Sequence, residues 1–93
     1  VSNKASFKAY LSSNPEVYDR LVTLARSVKN SGMKKCGIAM IYEVVRYEGT
    51  VSNNGKGKYK LPNAYRAGYA RLIMDRETDL AGFFRTARSE FDN

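Results

Sequence analysis

Five cations stand between Gly49 and Met74 (Lys56, Lys58, Lys60, Arg66 and Arg71), and no carboxylate interrupts them. That stretch holds five of the chain's net seven positive charges. Lysine offers a hydrated point charge and arginine a planar fork of donors, so together they suit an anion rich in oxygens. A nucleic-acid backbone is the polyanion that such a run fits. Lys56, Lys58 and Lys60 are expected to touch phosphates, which position a protein without reading sequence. Asn63, Arg66 and Arg71 are the expected readers, because arginine pairs bidentately with guanine and asparagine with adenine. Tyr59, set between Lys58 and Lys60, is the candidate for stacking on an unpaired base. Tyr65 and Tyr69 also interleave with cations, but they share an apolar stripe with Leu72 and read as packing groups.

Other chemistries find little support. With no histidine in the chain, the usual zinc sets and the Ser-His-Asp and Cys-His arrangements are excluded. Cys36 is the single cysteine, so no intramolecular disulfide forms. Its neighbours Lys34 and Lys35 would favour a thiolate, yet without a base beside it Cys36 reads as a small packing residue. Glu43 lies in an apolar segment and is expected to pair with Arg46 or Arg71. Asp75, Glu77 and Asp79 cluster near a helix end and read as dipole and capping groups rather than metal ligands. Gly55-Lys56-Gly57-Lys58 is too short for a phosphate-cradling loop. No metal, no cofactor and no enzymatic activity are therefore expected.

The elements that must position the basic run follow from periodicity. The 93 residues, 43% apolar and 27% charged, are one domain's worth of chain, 1–93. Phe7, Tyr10 and Leu11 suggest a short leading helix. Asn14-Pro15-Glu16 opens a longer one, with Asn14 as the expected cap and Pro15 at its first position. Val17, Leu21, Leu24 and Val28 repeat along it as one stripe, and Ser31-Gly32 ends it. Residues 38–48 predict a second long helix with two apolar faces: Ile38, Ile41, Tyr42 and Val45 on one, Met40, Val44 and Tyr47 on another. Apolar nearly all round, it is expected at the centre of the domain.

Thr50 to Leu61, turning at Asn54-Gly55, is compatible with a β-hairpin that would put Lys56, Lys58 and Lys60 on one face. A solvated loop fits the same glycines. A third main helix is expected over 64–76, with Ala67, Ala70, Arg71 and Met74 outward, and a fourth after Thr78-Asp79 carrying Leu80, Phe83, Phe84, Ala87 and Phe91 inward. The expected fold is mainly α: a compact bundle of four or five helices, helix-turn-helix-like, with a possible short hairpin around 50–61. Fifteen residues separate Glu48 from Ala64, so any helix-turn-helix would carry an insertion at its turn.

Asn14-Pro15-Glu16-Val17-Tyr18, the Ile-Tyr-Glu-Val-Val-Arg-Tyr run at 41–47, Tyr59 to Tyr65, Tyr69-Ala70-Arg71-Leu72 and residues 81–86 together resemble a family of small phage and prophage-associated bacterial proteins. The resemblance spans most of residues 14–88. It implies a small cytoplasmic protein acting inside a bacterial host, in regulation or host interference rather than metabolism. It carries no activity and no residue roles.

Two functions follow as expectations. The first is a DNA-binding protein, a phage or prophage regulator, that uses the basic loop and the helix at 64–76, with duplex DNA as partner. The alternative is a protein-interaction module, an inhibitor of a host protein or a homodimeric adaptor, with aromatics such as Tyr10, Tyr18, Tyr47 and Phe83 in surplus of the core. No apolar run is long enough to span a bilayer, so no membrane partner is expected.

Overall fold

The computed structural model describes residues 3–52 and 61–85, and the chain there is mainly helical. Four α-helices appear in the order α1 (Asn3–Ser13), α2 (Pro15–Asn30), α3 (Ile38–Ser52) and α4 (Arg66–Arg76). Two short 3-10 turns, Asn63–Tyr65 and Thr78–Leu80, flank α4. The described residues also include two two-residue strands: β1 (Cys36–Gly37), just before α3, and β2 (Phe84–Arg85). They pair in parallel, Cys36 opposite Phe84 and Gly37 opposite Arg85.

Pro15 separates the first two helices, because it lacks the N–H that would continue α1 yet suits the first position of α2. Asn14 does not cap α2 through its side chain. It turns the other way instead: its Nδ2 donates to the Tyr10 carbonyl at 3.0 Å and closes the end of α1. Competing carbonyls at a helix end are as good a partner for an amide as the amides at a helix start. Helix α2 buries Val17, Leu21, Val22 and Ala25, and ends where Gly32 takes a φ of 112°, a left-handed geometry that glycine adopts at no steric cost.

Helix α3 runs one turn further than its sequence predicts. Thr50-Val51-Ser52 are helical rather than the first strand of a hairpin, and the Thr50 hydroxyl donates back to the Arg46 carbonyl at 2.9 Å. The remainder of that hairpin, 53–60, lies outside the described residues. A second departure concerns which helix is central. α3 buries Ile41, Tyr42 and Val45 but exposes its other apolar face. The centre belongs to α4, where Gly68, Tyr69, Ala70 and Ile73 are buried and no residue from Tyr65 to Met74 is exposed. Ala70, expected outward, is fully enclosed. Gly68 and Ala70 lack the bulk that would hold neighbouring elements away, so α4 is wrapped on more than one side.

The expected fourth amphipathic helix is also replaced. After the 3-10 turn at Thr78–Leu80, Gly82 adopts a φ of 71° and turns the chain into β2. The Cys36 amide donates to the Phe83 carbonyl at 3.0 Å, so the sheet contact uses backbone that a helix would have satisfied internally. Phe83 and Phe84 are nonetheless buried, their rings 5.5 Å apart. Ala87 and Phe91 lie outside the described residues.

One core results. Leu21, Ile41, Ile73 and Leu80 are fully buried, each contributing about 1.5–3 kcal/mol relative to exposure. A cluster of rings closes one end: Phe7 meets Tyr69 edge-on at 4.9 Å and Tyr65 at 5.6 Å, which fastens α1 to the start of α4.

Candidate nucleic-acid interface

Helix α3 ends at Ser52 inside the basic run, and the same helix holds residues 61–63 in the middle of that run. Tyr42 and Arg46 stand four residues apart and therefore share a face. Tyr42 Oη donates to the Pro62 carbonyl at 2.6 Å. Arg46 Nη2 donates to the Leu61 carbonyl at 2.6 Å and to Asn63 Oδ1 at 2.6 Å, while its Nη1 pairs with Glu43. The guanidinium carbon also sits 5.5 Å from the centroid of the Tyr42 ring. Leu61 is buried beneath this grip. Residues 61–63 are thereby held against α3.

Of the sequence-derived site residues, Lys56, Lys58, Tyr59 and Lys60 lie outside the described residues. Asn63 is exposed on the 3-10 turn, but its side-chain oxygen already accepts from Arg46. Bidentate pairing with adenine needs both that oxygen and the amide nitrogen, so Asn63 would have to exchange Arg46 for a base. Arg66 and Arg71 are half-buried on α4. Five residues apart, they are separated by about 140° around the helix, so they face different ways rather than forming one reading edge. Tyr65 and Tyr69 are packing groups, as their stripe suggests.

Electrostatics sharpen the picture. Ion pairs among the described residues are made by arginines: Arg20 with Glu48 at 2.6 Å, Arg26 with Glu77 at 2.7 Å and Asp79 at 3.0 Å, and Arg46 with Glu43. Four of the seven described carboxylates are thereby occupied. The exposed Lys4, Lys8, Lys34 and Lys35 take part in none of these pairs. Hydrogen bonds from Arg20 hold Glu48 below the usual carboxylate range, and those from Arg26 do the same for Asp79. Burial, followed by the hydrogen bond to Glu77, pushes the Tyr18 phenol up to about 12. Burial also raises the Cys36 thiol, which makes it a poor nucleophile.

The sequence reading missed Tyr42 and Arg46 as anchors of the basic run. The available signal was their four-residue spacing, with two polar tips carried on an otherwise apolar face. Among the described residues, no cluster of Cys, Asp and Glu could hold a metal ion. No described helix is long and apolar enough to cross a membrane. Comparison of the chain with protein-family models, curated proteins and solved structures finds no match.

Proposed function

We propose that the protein binds nucleic acid chiefly through backbone phosphates, with the basic segment that α3 launches and Arg46 recaptures as the contact surface. The observation that carries this reading is the run of five cations without a carboxylate, which follows α3 and is tied back to that helix at Leu61 and Asn63 by Arg46. A binding segment whose neighbouring residues are already held loses less conformational freedom than one without such a tie. Lys56, Lys58 and Lys60 contact phosphates, and Arg66 and Arg71 add to the field from α4. Tyr59 stacks where a base is unpaired. Because α4 offers no exposed face between Tyr65 and Met74, the reading favours backbone contact over insertion of that helix into a groove. A role in phage or prophage regulation inside a bacterial cytoplasm agrees with this and rests on the resemblance alone.

The test is titration of labelled duplex DNA, single-stranded DNA and RNA at several salt concentrations. Engagement of about five phosphates gives a slope of log K against log salt of roughly −4 to −5 on duplex DNA. Absence of binding to all three at low salt would reject the reading.

A further inference from the structure

Asn63 lies in the described part of the basic run, exposed on the 3-10 turn that precedes α4. Among the described residues its side chain is held through one atom: Oδ1 accepts from Arg46 Nη2 at 2.6 Å. That contact decides which way the amide faces. A guanidinium carries donors and no acceptor, so only the amide oxygen can be turned toward it. The nitrogen, on the other arm of the same planar group, is directed away from Arg46. No described acceptor takes a hydrogen bond from it. Asn63 therefore presents two N–H donors at the surface, with its acceptor already occupied.

We infer that Asn63 is a phosphate-binding residue, and that Arg46 is the positioning residue that makes it one. The inference rests on the nucleic-acid reading and narrows it. An unprotonated phosphate oxygen accepts hydrogen bonds and donates none, so it matches a side chain left with donors alone. Adenine does not match. Its major-groove edge sets a donor beside an acceptor, and the donor needs the oxygen that Arg46 holds. Guanine offers acceptors only, but its edge lies inside the groove, and α4 beyond the turn has no exposed face between Tyr65 and Met74 to enter it. Charge agrees, since Lys60 precedes Asn63 by three residues and Arg66 follows it by three.

Arg46 does more than aim the amide. Its own fork is fixed from several sides: Nη1 by Glu43, and Nη2 by the Leu61 carbonyl as well as by Asn63. A cation bonded to an amide oxygen polarises the group, and the N–H pair becomes a stronger donor. Glu43, Arg46 and Asn63 thus form a relay from α3 to the surface, and its last member faces outward.

Variants titrated with duplex DNA at several salt concentrations, and unfolded in urea, test this. Asn63→Ala removes the donor and should weaken binding about five- to tenfold, equally on A·T-only and G·C-only duplexes. Its salt slope should stay within about half a unit of wild type, because no charge is lost. Asn63→Asp keeps an oxygen for Arg46 but exchanges the donor nitrogen for a second acceptor. It should be at least as stable in urea as wild type and yet bind more weakly than Asn63→Ala. Ala64→Asp, at the next exposed position, reports how much of that loss the added charge causes by itself. Asn63→Asp should lose at least about threefold more than Ala64→Asp. Combining Asn63→Ala with Arg46→Met should cost less affinity than the two separate losses multiplied, because Arg46 acts through Asn63. Wild-type binding by Asn63→Asp, or a loss no greater than that of Ala64→Asp, makes Asn63 a structural tie and overturns the proposal. A loss in Asn63→Ala confined to one of the two duplexes assigns the residue to a base and overturns it equally. Losses that multiply in full in the double variant overturn the role given to Arg46. Failure of the wild-type chain to bind at low salt overturns the nucleic-acid reading and this proposal with it, whereas each of the other failures leaves that reading in place.

Discussion

Arg46 Nη2 lies 2.6 Å from Asn63 Oδ1, so one guanidinium joins the middle of α3 to the turn that opens α4. The same nitrogen holds the Leu61 carbonyl, and Tyr42 holds Pro62 beside it. Replacing Arg46 with methionine keeps the apolar stem and removes both bonds together with the pair to Glu43. Since hydrogen bonds to charged groups contribute about 1.5–3 kcal/mol, stability by urea titration should fall by an amount of that order. Nucleic-acid affinity should drop as well, while the salt slope changes by less than about half a unit, because Arg46 holds Leu61 and Asn63 without neutralising a phosphate. A full-unit loss of slope would make Arg46 a direct contact instead.

Tyr18 donates to Glu77 Oε2 at 2.8 Å, and the neutral phenol is the form that the fold prefers. Its pKa is about 12 in the protein against 10.0 in the unfolded chain. The group is a raised acid, so its contribution is complete below pH 10.0 and is lost as pH climbs toward about 12. Alkaline denaturation should therefore steepen in that window, and Tyr18→Phe should flatten it. An identical alkaline limb in the two proteins would show that Tyr18 titrates normally.

Glu48 and Asp79 behave in the opposite sense. Arg20 and Arg26 hold both below the ordinary carboxylate range, so their contribution is present above that range and lost as pH falls beneath it. Both pairs are exposed, so the loss should be small and should shrink further in high salt. Arg26→Met should make the acid limb of the stability curve shallower below about pH 4. An acid limb unaffected by the substitution would place the acid sensitivity elsewhere.

The centrality of α4 has its own test. Ala70→Leu forces extra volume into an enclosed site and should cost about 1–3 kcal/mol. Ile73→Ala should cost about 2–5 kcal/mol by opening a cavity. Ala67→Leu, at a half-buried position on the same helix, should cost less than either. Equal tolerance at Ala67 and Ala70 would contradict the packing.

What the sequence made legible follows from period. Val17, Leu21, Leu24 and Val28 announce α2, and the Glu43–Arg46 pair follows from their three-residue spacing. The exchange of centre between α3 and α4 was hidden for a physical reason. An apolar stripe predicts burial only when some element covers it, and on α3 the covering element is missing among the described residues. Small residues such as Gly68 and Ala70 carry little hydrophobic signal, yet they permit the closest packing. Phe83 and Phe84 were placed correctly as core but on a helix, because two adjacent buried aromatics and a left-handed Gly82 look alike in either setting. In the candidate interface, the charge run was plain, whereas the grip of Tyr42 and Arg46 on residues 61–63 depends on contacts across fifteen or more positions.

Arg71→Ala separates two roles for the arginines of α4. If Arg71 reads a base, the variant should alter preference among duplex sequences. If it adds only to the field, as its half-buried position on α4 favours, affinity should fall equally on every sequence.

The central claim, phosphate contact by the basic run, is tested most directly by comparing the salt slopes of the wild-type chain and Lys58→Ala on one duplex. The expected result is a wild-type slope of roughly −4 to −5 that becomes shallower by about one unit in the variant, with affinity lowered on all sequences. A wild-type protein that fails to bind at low salt, or a slope that Lys58→Ala leaves untouched, would contradict the account.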